Sequence, residues 1–309
     1  MEYKLSIAIP IFNEAGNLEL LYKRLIPILT SLPVHNYEII FVNDGSHDES
    51  WYIIEKLAAF DPSIKALSFS RNFGHQAALT AAYDHATGDA IISMDADLQD
   101  PPELILTLVE KWKAGNHIVY ARRINRQDSL VKKLTAFGYY LFLNAVTTIK
   151  IPRNVGDFRL IDKSVLHVLH QCKEKSRYLR GMVAWAGFKY DFVDFKRPNR
   201  AQGITGYTWS KMLRLGFDGL TGFSLFPLKI AAFFGFFMIL TGALMFSYVS
   251  YDALLHDTYY PLFKWLVILL YIFMGLQMLL LWLIGEYIGR IHEQQQNRPL
   301  YIVGQKINI

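Results

Sequence analysis

The chain has 309 residues, 52% of them hydrophobic, with 21 Phe, 18 Tyr and a formal net charge of +5. That length admits one large domain plus an appendage. Its single cysteine, Cys172, excludes an intrachain disulfide and fits a reducing compartment. No cleavable signal peptide is expected, because Met1-Glu2-Tyr3-Lys4 leads only into a short strand-like apolar run.

Leu5-Ser6-Ile7-Ala8-Ile9-Pro10 reads as a strand, and Asn17 to Leu29 as an amphipathic helix. Tyr37 to Val42 is a second strand, ending in Asn43-Asp44-Gly45-Ser46, whose residue types favour a turn. A helix over Ser50 to Phe60 and a third strand over Ile64 to Phe69 follow. His75 to Ala86 is alanine-rich and helical, and leads into the apolar run Ala90-Ile91-Ile92-Ser93-Met94. That run reads as a buried strand, and Pro101-Pro102 cannot continue it. Asp95-Ala96-Asp97-Leu98-Gln99-Asp100 therefore emerges at a strand end. Alternating short strands and helices imply an α/β fold with a largely parallel sheet, whose ligands gather at the strand carboxyl ends. Pro10 to Glu14, Asp44, Ser70-Arg71-Asn72 and Asp95 to Asp97 then line one edge. A further strand, His117 to Tyr120, brings Arg122-Arg123 to the same edge.

Two carboxylates one residue apart, with the amide oxygen of Gln99 beside them, form a hard-oxygen cluster suited to Mg²⁺ or Mn²⁺. An acidic turn closed by proline is the plainer alternative. The first strand is not followed by Gly-x-Gly-x-x-Gly, and the chain has no Walker lysine loop, so dinucleotide and P-loop readings lack support.

The apolar excess is concentrated near the carboxyl end. Ile230 to Tyr251 and Trp265 to Gly285 carry no formal charge, and each is about 20 residues, enough to cross a bilayer core as a helix. Two such windows joined by a short polar link predict a transmembrane hairpin. The link holds Asp252 and Asp257 against Lys264, whereas the flanks carry Lys211, Arg214, Lys229, Arg290 and Arg298. The positive-inside rule then puts the large amino-terminal domain in the cytoplasm. Two expected spans and an acidic sheet edge argue against nucleic acid as the partner of the basic clusters.

Ile9-Pro10-Ile11-Phe12-Asn13-Glu14, Val42-Asn43-Asp44-Gly45-Ser46, Arg71-Asn72-Phe73-Gly74 and the Asp95 to Pro101 segment, taken in order, resemble the GT-A, family 2 glycosyltransferases. Within these they are similar to enzymes that act on polyprenyl phosphates, such as dolichol-phosphate mannose synthase, and most of all to the GtrB-type bactoprenol glucosyltransferases. The resemblance covers nearly the whole chain. It implies a GT-A domain over 1–206, with an interfacial helix near 129–147, a juxtamembrane helix over 207–224, transmembrane helices within 225–289 and a cytoplasmic tail over 290–309.

The resemblance also implies a UDP-sugar donor, a polyprenyl phosphate acceptor, a multi-pass place in the inner (plasma) membrane, and transfer of one hexose with inversion. Mannose or aminoarabinose are alternative sugars. The nucleotide sugar would be bound by Pro10, Phe12, Glu14, Asp44, Ser70, Arg71, Asp95 and Ala96, and the metal by Asp95, Asp97 and Gln99. Glu14 could instead cap the following helix, and Asp44 could be a turn residue. Asp157, in Asn154-Val155-Gly156-Asp157-Phe158-Arg159, stands at the family's catalytic aspartate position, with a structural pair to Arg159 as the alternative. A lipid phosphate is mostly anionic near neutral pH, its second pKa being about 6, so Asp157 is expected to position the acceptor or polarise the sugar more than to remove a proton. Arg122, Arg200 and Lys132 are the expected cations for the acceptor phosphate. Thr205-Gly206 stands where the family often has Ser-Lys. Lys132 and Lys133 share a basic helix with Phe137, Tyr140 and Leu141, a pattern that suits a membrane interface, as does Tyr207 to Phe223. A processive polysaccharide synthase is a competing reading, but Ser176-Arg177-Tyr178-Leu179-Arg180-Gly181 lacks the Gln-x-x-Arg-Trp such synthases carry. A non-catalytic scaffold is a third, and homo-oligomerisation through the hairpin is expected.

Overall fold

A computed structural model describes residues 3–33, 36–124, 152, 154–175, 177–196 and 262–309, with 244, 247 and 251 as single positions. In chain order the elements are β1 (Lys4–Ile11), α1 (Ala15–Ser31), β2 (Asn36–Asn43), α2 (Ser50–Phe60), β3 (Ile64–Phe69), α3 (His75–His85) and β4 (Ala90–Ser93). They continue with α4 (Leu104–Lys113), β5 (Ile118–Ile124), β6 (Val155–Asp162), α5 (Lys163–Gln171), α6 (Leu179–Trp185), β7 (Tyr190–Lys196), α7 (Leu262–Gln295) and β8 (Val303–Ile307).

The strands form one sheet in the order β7-β5-β6-β4-β1-β2-β3-β8. Pairings β4–β1, β1–β2, β2–β3 and β5–β7 are parallel, while β6 runs antiparallel to both its neighbours and β8 antiparallel to β3. Side chains alternate across a strand, so β1 sends Leu5, Ile7, Ile9 and Ile11 into one core and Ala8 into the other. On the first face α1 contributes Leu18, Leu21, Leu25 and Leu29, an i, i+3, i+7, i+11 stripe that fixes its buried side. On the second, Ala77 to Tyr83 of α3 meet Val165 and Leu166 of α5 and Met182 of α6. Small alanines let α3 lie close to the sheet, and full burial of each large aliphatic side chain contributes about 1.5–3 kcal/mol. With both faces covered, the parallel strands read as continuous apolar runs.

Opposite the ligand edge, Glu38 accepts hydrogen bonds from Ser6 Oγ (2.6 Å) and Thr87 N (2.7 Å) and pairs with Lys65 (2.8 Å) and Lys4 (3.1 Å). Burial pushes its carboxyl up, but Lys65, Ser6, Thr87 and Lys4 outweigh that and hold its pKa at about 2.

Two expectations concern the carboxyl-terminal part of the chain. Residues 290–309, expected as a tail, finish α7 and then add β8 to the open edge of β3. Tyr301 stacks on Phe69 at 5.0 Å, and its hydroxyl donates to Asp84 Oδ2 at 2.9 Å. Among the described residues, no helix is long and apolar enough to cross a membrane. The expected hairpin is therefore not confirmed. Ile230 to Tyr251 lies outside the described residues except at single positions, and Trp265 to Gly285 falls within the 34-residue α7, only some of whose side chains are described.

Candidate functional site

The carboxyl ends of β1 to β5, the amino end of antiparallel β6 and the start of α6 converge on one edge of the sheet. The loops there are knitted by short polar side chains. Asn13, at φ 55°, donates its backbone N–H to Ser46 Oγ, and its own Oδ1 accepts from His47 N. Asp44 is buried, and its carboxylate accepts from Phe73 N (2.7 Å) and Gly74 N (3.0 and 3.2 Å). Burial pushes the Asp44 carboxyl up despite those two amides. Gly45, at φ +65°, passes so close to the same loop that a Cβ would meet Arg71 C at 2.5 Å. The Asn-Asp-Gly-Ser turn thus serves to lock β2 onto the segment that opens α3.

The acidic turn follows β4. Leu98 adopts φ 60°, Asp97 Oδ1 accepts from Gln99 N at 3.1 Å, and Asp100 Oδ2 accepts from Asp95 N at 3.4 Å. Asp97 and Ala96 are buried, whereas the Asp95 side chain is 31% exposed. Among the described residues, no group of three or more His, Cys, Asp or Glu side chains converges as a metal cage. The donor set nevertheless fits Mg²⁺ or Mn²⁺, which bind through one or two carboxylates and complete their shell with water and substrate phosphates. Asp95 and Asp97, with Gln99, could supply that set.

Asp157 lies at the start of β6, 5% exposed. Its Oδ1 accepts from Arg180 Nε (3.1 Å) and from Arg159 Nη2 (3.4 Å), and its Oδ2 accepts from Arg180 Nη2 (2.8 Å). His75 Nε2 lies 3.4 Å from the same Oδ2 and 3.8 Å from Asp95 Oδ1. Burial pushes the Asp157 carboxyl up, but the Arg180 charge, the hydrogen bonds from His75 and Arg180, and the Arg159 charge hold it well below the usual range. Burial alone would lower the His75 pKa, yet its hydrogen bond to Asp157 and the charges of Asp95 and Asp157 raise it. Arg159 is fully buried, and among the described residues its Nε and Nη1 lack a hydrogen-bond partner. Its Nη2 contact supports the ionised Asp157 from below. The main chain joins in as well, since Ser93 Oγ donates to the Asp157 carbonyl at 2.5 Å.

The expected site residues divide clearly. Pro10, Phe12, Glu14, Asp44, Ser70, Arg71, Asp95, Ala96, Asp97, Gln99 and Asp157 all stand at this edge. Pro10 is buried and Phe12 is 43% exposed. Glu14 starts α1 without a side-chain cap, and its Oε2 accepts from Asn17 Nδ2 at 2.6 Å. Ser70 and Arg71 are exposed, with the Arg71 guanidinium over the Phe73 ring at 4.1 Å. Arg122 is turned to Asp194, forked at 2.6 and 2.9 Å, and stacks on Phe192. Its neighbour Arg123 takes the other face of β5, with Nη2 3.7 Å from Asp100 Oδ1. Lys132, Lys133 and Arg200, with both expected interfacial helices, lie outside the described residues. The alternative pairing of Asp157 with Arg159 is present, but as one of several contacts.

Sequence reasoning missed His75 and Arg180. His75 was legible only as the first residue of a helix directly after Arg71-Asn72-Phe73-Gly74. Arg180 sat in a segment read solely for Gln-x-x-Arg-Trp.

The model of the family described as Glycosyl transferase family 2 matches residues 6–169. The chain is 45% identical to an uncharacterized glycosyltransferase of Bacillus subtilis, over 98% of this chain and 94% of that protein. It is 42% identical to an uncharacterized glycosyltransferase of Synechocystis, over 98% and 95%. To the SfII prophage-derived bactoprenol glucosyl transferase of Shigella flexneri it is 38% identical, over 97% of each chain.

Proposed function

The chain belongs to glycosyl transferase family 2, and from that premise we propose that it transfers one hexose from a UDP-sugar to undecaprenyl phosphate, with glucose as the sugar and inversion at the anomeric carbon. The observation that carries the reading is the meeting of the acidic turn and the ionised Asp157 at one sheet edge, bridged by His75. Similarity to proteins named as bactoprenol glucosyl transferases supports the lipid acceptor and the glucosyl group.

Asp95, Asp97 and Gln99 would hold Mg²⁺ or Mn²⁺, which when bound neutralises the donor diphosphate and stabilises the leaving group. Pro10, Phe12, Glu14, Asp44, Ser70, Arg71 and Ala96 are proposed to line the nucleotide-sugar pocket, Asp44 by holding the loop to α3. In the reaction an oxygen of the acceptor phosphate bonds to the anomeric carbon. The bond from that carbon to the diphosphate breaks, and its electron pair leaves with UDP. The acceptor needs no base, because its second pKa is about 6. An Asp157 held far below that value is a poor proton acceptor, so its role here is to orient groups around the reacting sugar. Arg122, Arg200 and Lys132 are proposed for the acceptor phosphate. Arg122 must exchange Asp194 for that phosphate, a trade between two anions that a guanidinium fork permits.

The two charge-free windows support a membrane hairpin with the catalytic domain on the cytoplasmic face, and copies associating through it. At 1.5 Å per residue α7 is about 50 Å long. It contains the second window, and near its carboxyl end Gln294 Nε2 donates to Lys173 O.

Labelled UDP-glucose, undecaprenyl phosphate and the full chain are expected to give a labelled lipid with Mg²⁺ or Mn²⁺ and none with EDTA. Asp97→Ala should abolish that metal-dependent turnover while leaving the melting temperature near wild type. Absence of labelled lipid with every UDP- and GDP-sugar refutes the reading.

A further inference from the structure

We propose that His75 is a positioning residue that ties the donor-side carboxylate Asp95 to the buried Asp157, and so sets the distance between the two halves of the site. The inference rests on the glycosyl-transfer reading and adds to it a residue that links donor and reaction centre.

The imidazole Nε2 stands between two acidic groups, 3.4 Å from Asp157 Oδ2 and 3.8 Å from Asp95 Oδ1. Two carboxylates approaching a common point repel each other, and an imidazole N–H lying between them opposes that tendency to splay. Asp157 is already fixed on its other sides by the Arg180 fork and by Arg159. His75 is one contact, among the described residues, through which that rigid carboxylate reaches the acidic turn. The backbone that delivers His75 is pinned as well. Phe73 N and Gly74 N both donate to Asp44, and Gly74 adopts φ +100°, a conformation that favours glycine.

A purely structural role does not account for this placement. The side chain is 41% exposed and fills no core. It is the first residue of α3, which has no side-chain cap, and a basic group at a helix amino terminus is opposed by the helix dipole. What offsets that cost is the pair of carboxylates. Displacing reacting groups by about 1 Å costs on the order of 100-fold in rate, so loss of this bridge should fall on the chemical step rather than on nucleotide affinity.

Full-length His75→Ala and His75→Gln are compared with wild type for transfer from UDP-glucose to undecaprenyl phosphate. The expected result is a kcat for His75→Ala lower by on the order of 100-fold, with KM for the sugar nucleotide unchanged. His75→Gln keeps an N–H donor and is expected to recover most of kcat. Wild-type kcat in His75→Ala overturns the assignment, as does a loss confined to KM. Equal loss in both variants, accompanied by a lowered melting temperature, overturns it in favour of a packing role. A wild-type protein that transfers no sugar from any nucleotide overturns the glycosyl-transfer reading together with this one.

Discussion

Both oxygens of Asp157 accept hydrogen bonds from guanidinium groups, and the Arg180 fork supplies one to each. A carboxylate so held stays ionised through the neutral range, because its folded pKa lies well below the usual value. The reaction should therefore show no inflection from Asp157 between pH 6 and 9. Asp157→Asn is expected to lower kcat on the order of 100-fold, by the same factor at both ends of that range. A loss that grows steeply toward one end would favour a general-base role for Asp157 instead. Arg180→Lys replaces the planar fork by a point charge and should lower kcat less than Asp157→Asn does, with nucleotide KM unchanged. Asp157 was legible from its motif, but its partners were not. Arg159 is two residues away on the same strand, whereas Arg180 and His75 reach it from other elements, and no local periodicity records such a meeting.

Among the elements, β1 to β4 were legible because strands buried on both faces read as unbroken apolar runs, and α1 to α3 followed from helical spacing. Strand β6 was not. Gly156, Asp157, Arg159 and Asp162 interrupt its apolar character, so the segment reads as a loop carrying chemistry. It is nevertheless a strand between β4 and β5, held by both neighbours. Strand β8 was hidden for a different reason. Val303-Gly-Gln-Lys-Ile has little apolar content, and only the open edge of β3 makes it a strand. Its docking depends on Tyr301, so Tyr301→Ala should release the carboxyl-terminal segment. The expected sign is faster amide exchange at Ser70, whose N–H donates to Ile302 O, than in wild type, and unchanged exchange there would contradict it. The buried Glu38 cluster predicts an acid limit. Its pKa is lowered from 4.5 to about 2, so its stabilisation is fully present above pH 4.5 and is lost as pH falls toward 2. That difference corresponds to about 3 kcal/mol. Glu38→Gln should lower stability at pH 7 by an amount of that order and flatten the pH dependence between 5 and 2, which urea unfolding at several pH values measures.

At the scale of the whole molecule, one sheet edge gathers the chemistry and the carboxyl-terminal helix returns to the same sheet. α7 ends where Gln294 contacts Lys173 and Lys175, and β8 then joins β3. The segment after the second apolar window is thereby tied to the catalytic domain at two places. A hairpin anchored in the membrane would hold that domain close to the bilayer, where a lipid phosphate is found. After alkaline carbonate washing, the full chain is expected to stay with the membrane fraction. Release into the supernatant would remove the hairpin while leaving the catalytic reading intact. The composition revealed the apolar windows, but it could not reveal that the end of the chain completes the sheet.

The central claim is single-sugar transfer to a polyprenyl phosphate, and the most direct measurement is the structure of the product. Full-length protein with UDP-glucose, undecaprenyl phosphate and Mn²⁺ should yield a lipid whose mass shows one added hexose. Proton NMR of that lipid should show the β configuration at the anomeric carbon. A lipid bearing several hexoses, an α-linked sugar, or no glycolipid with any sugar nucleotide would contradict the account.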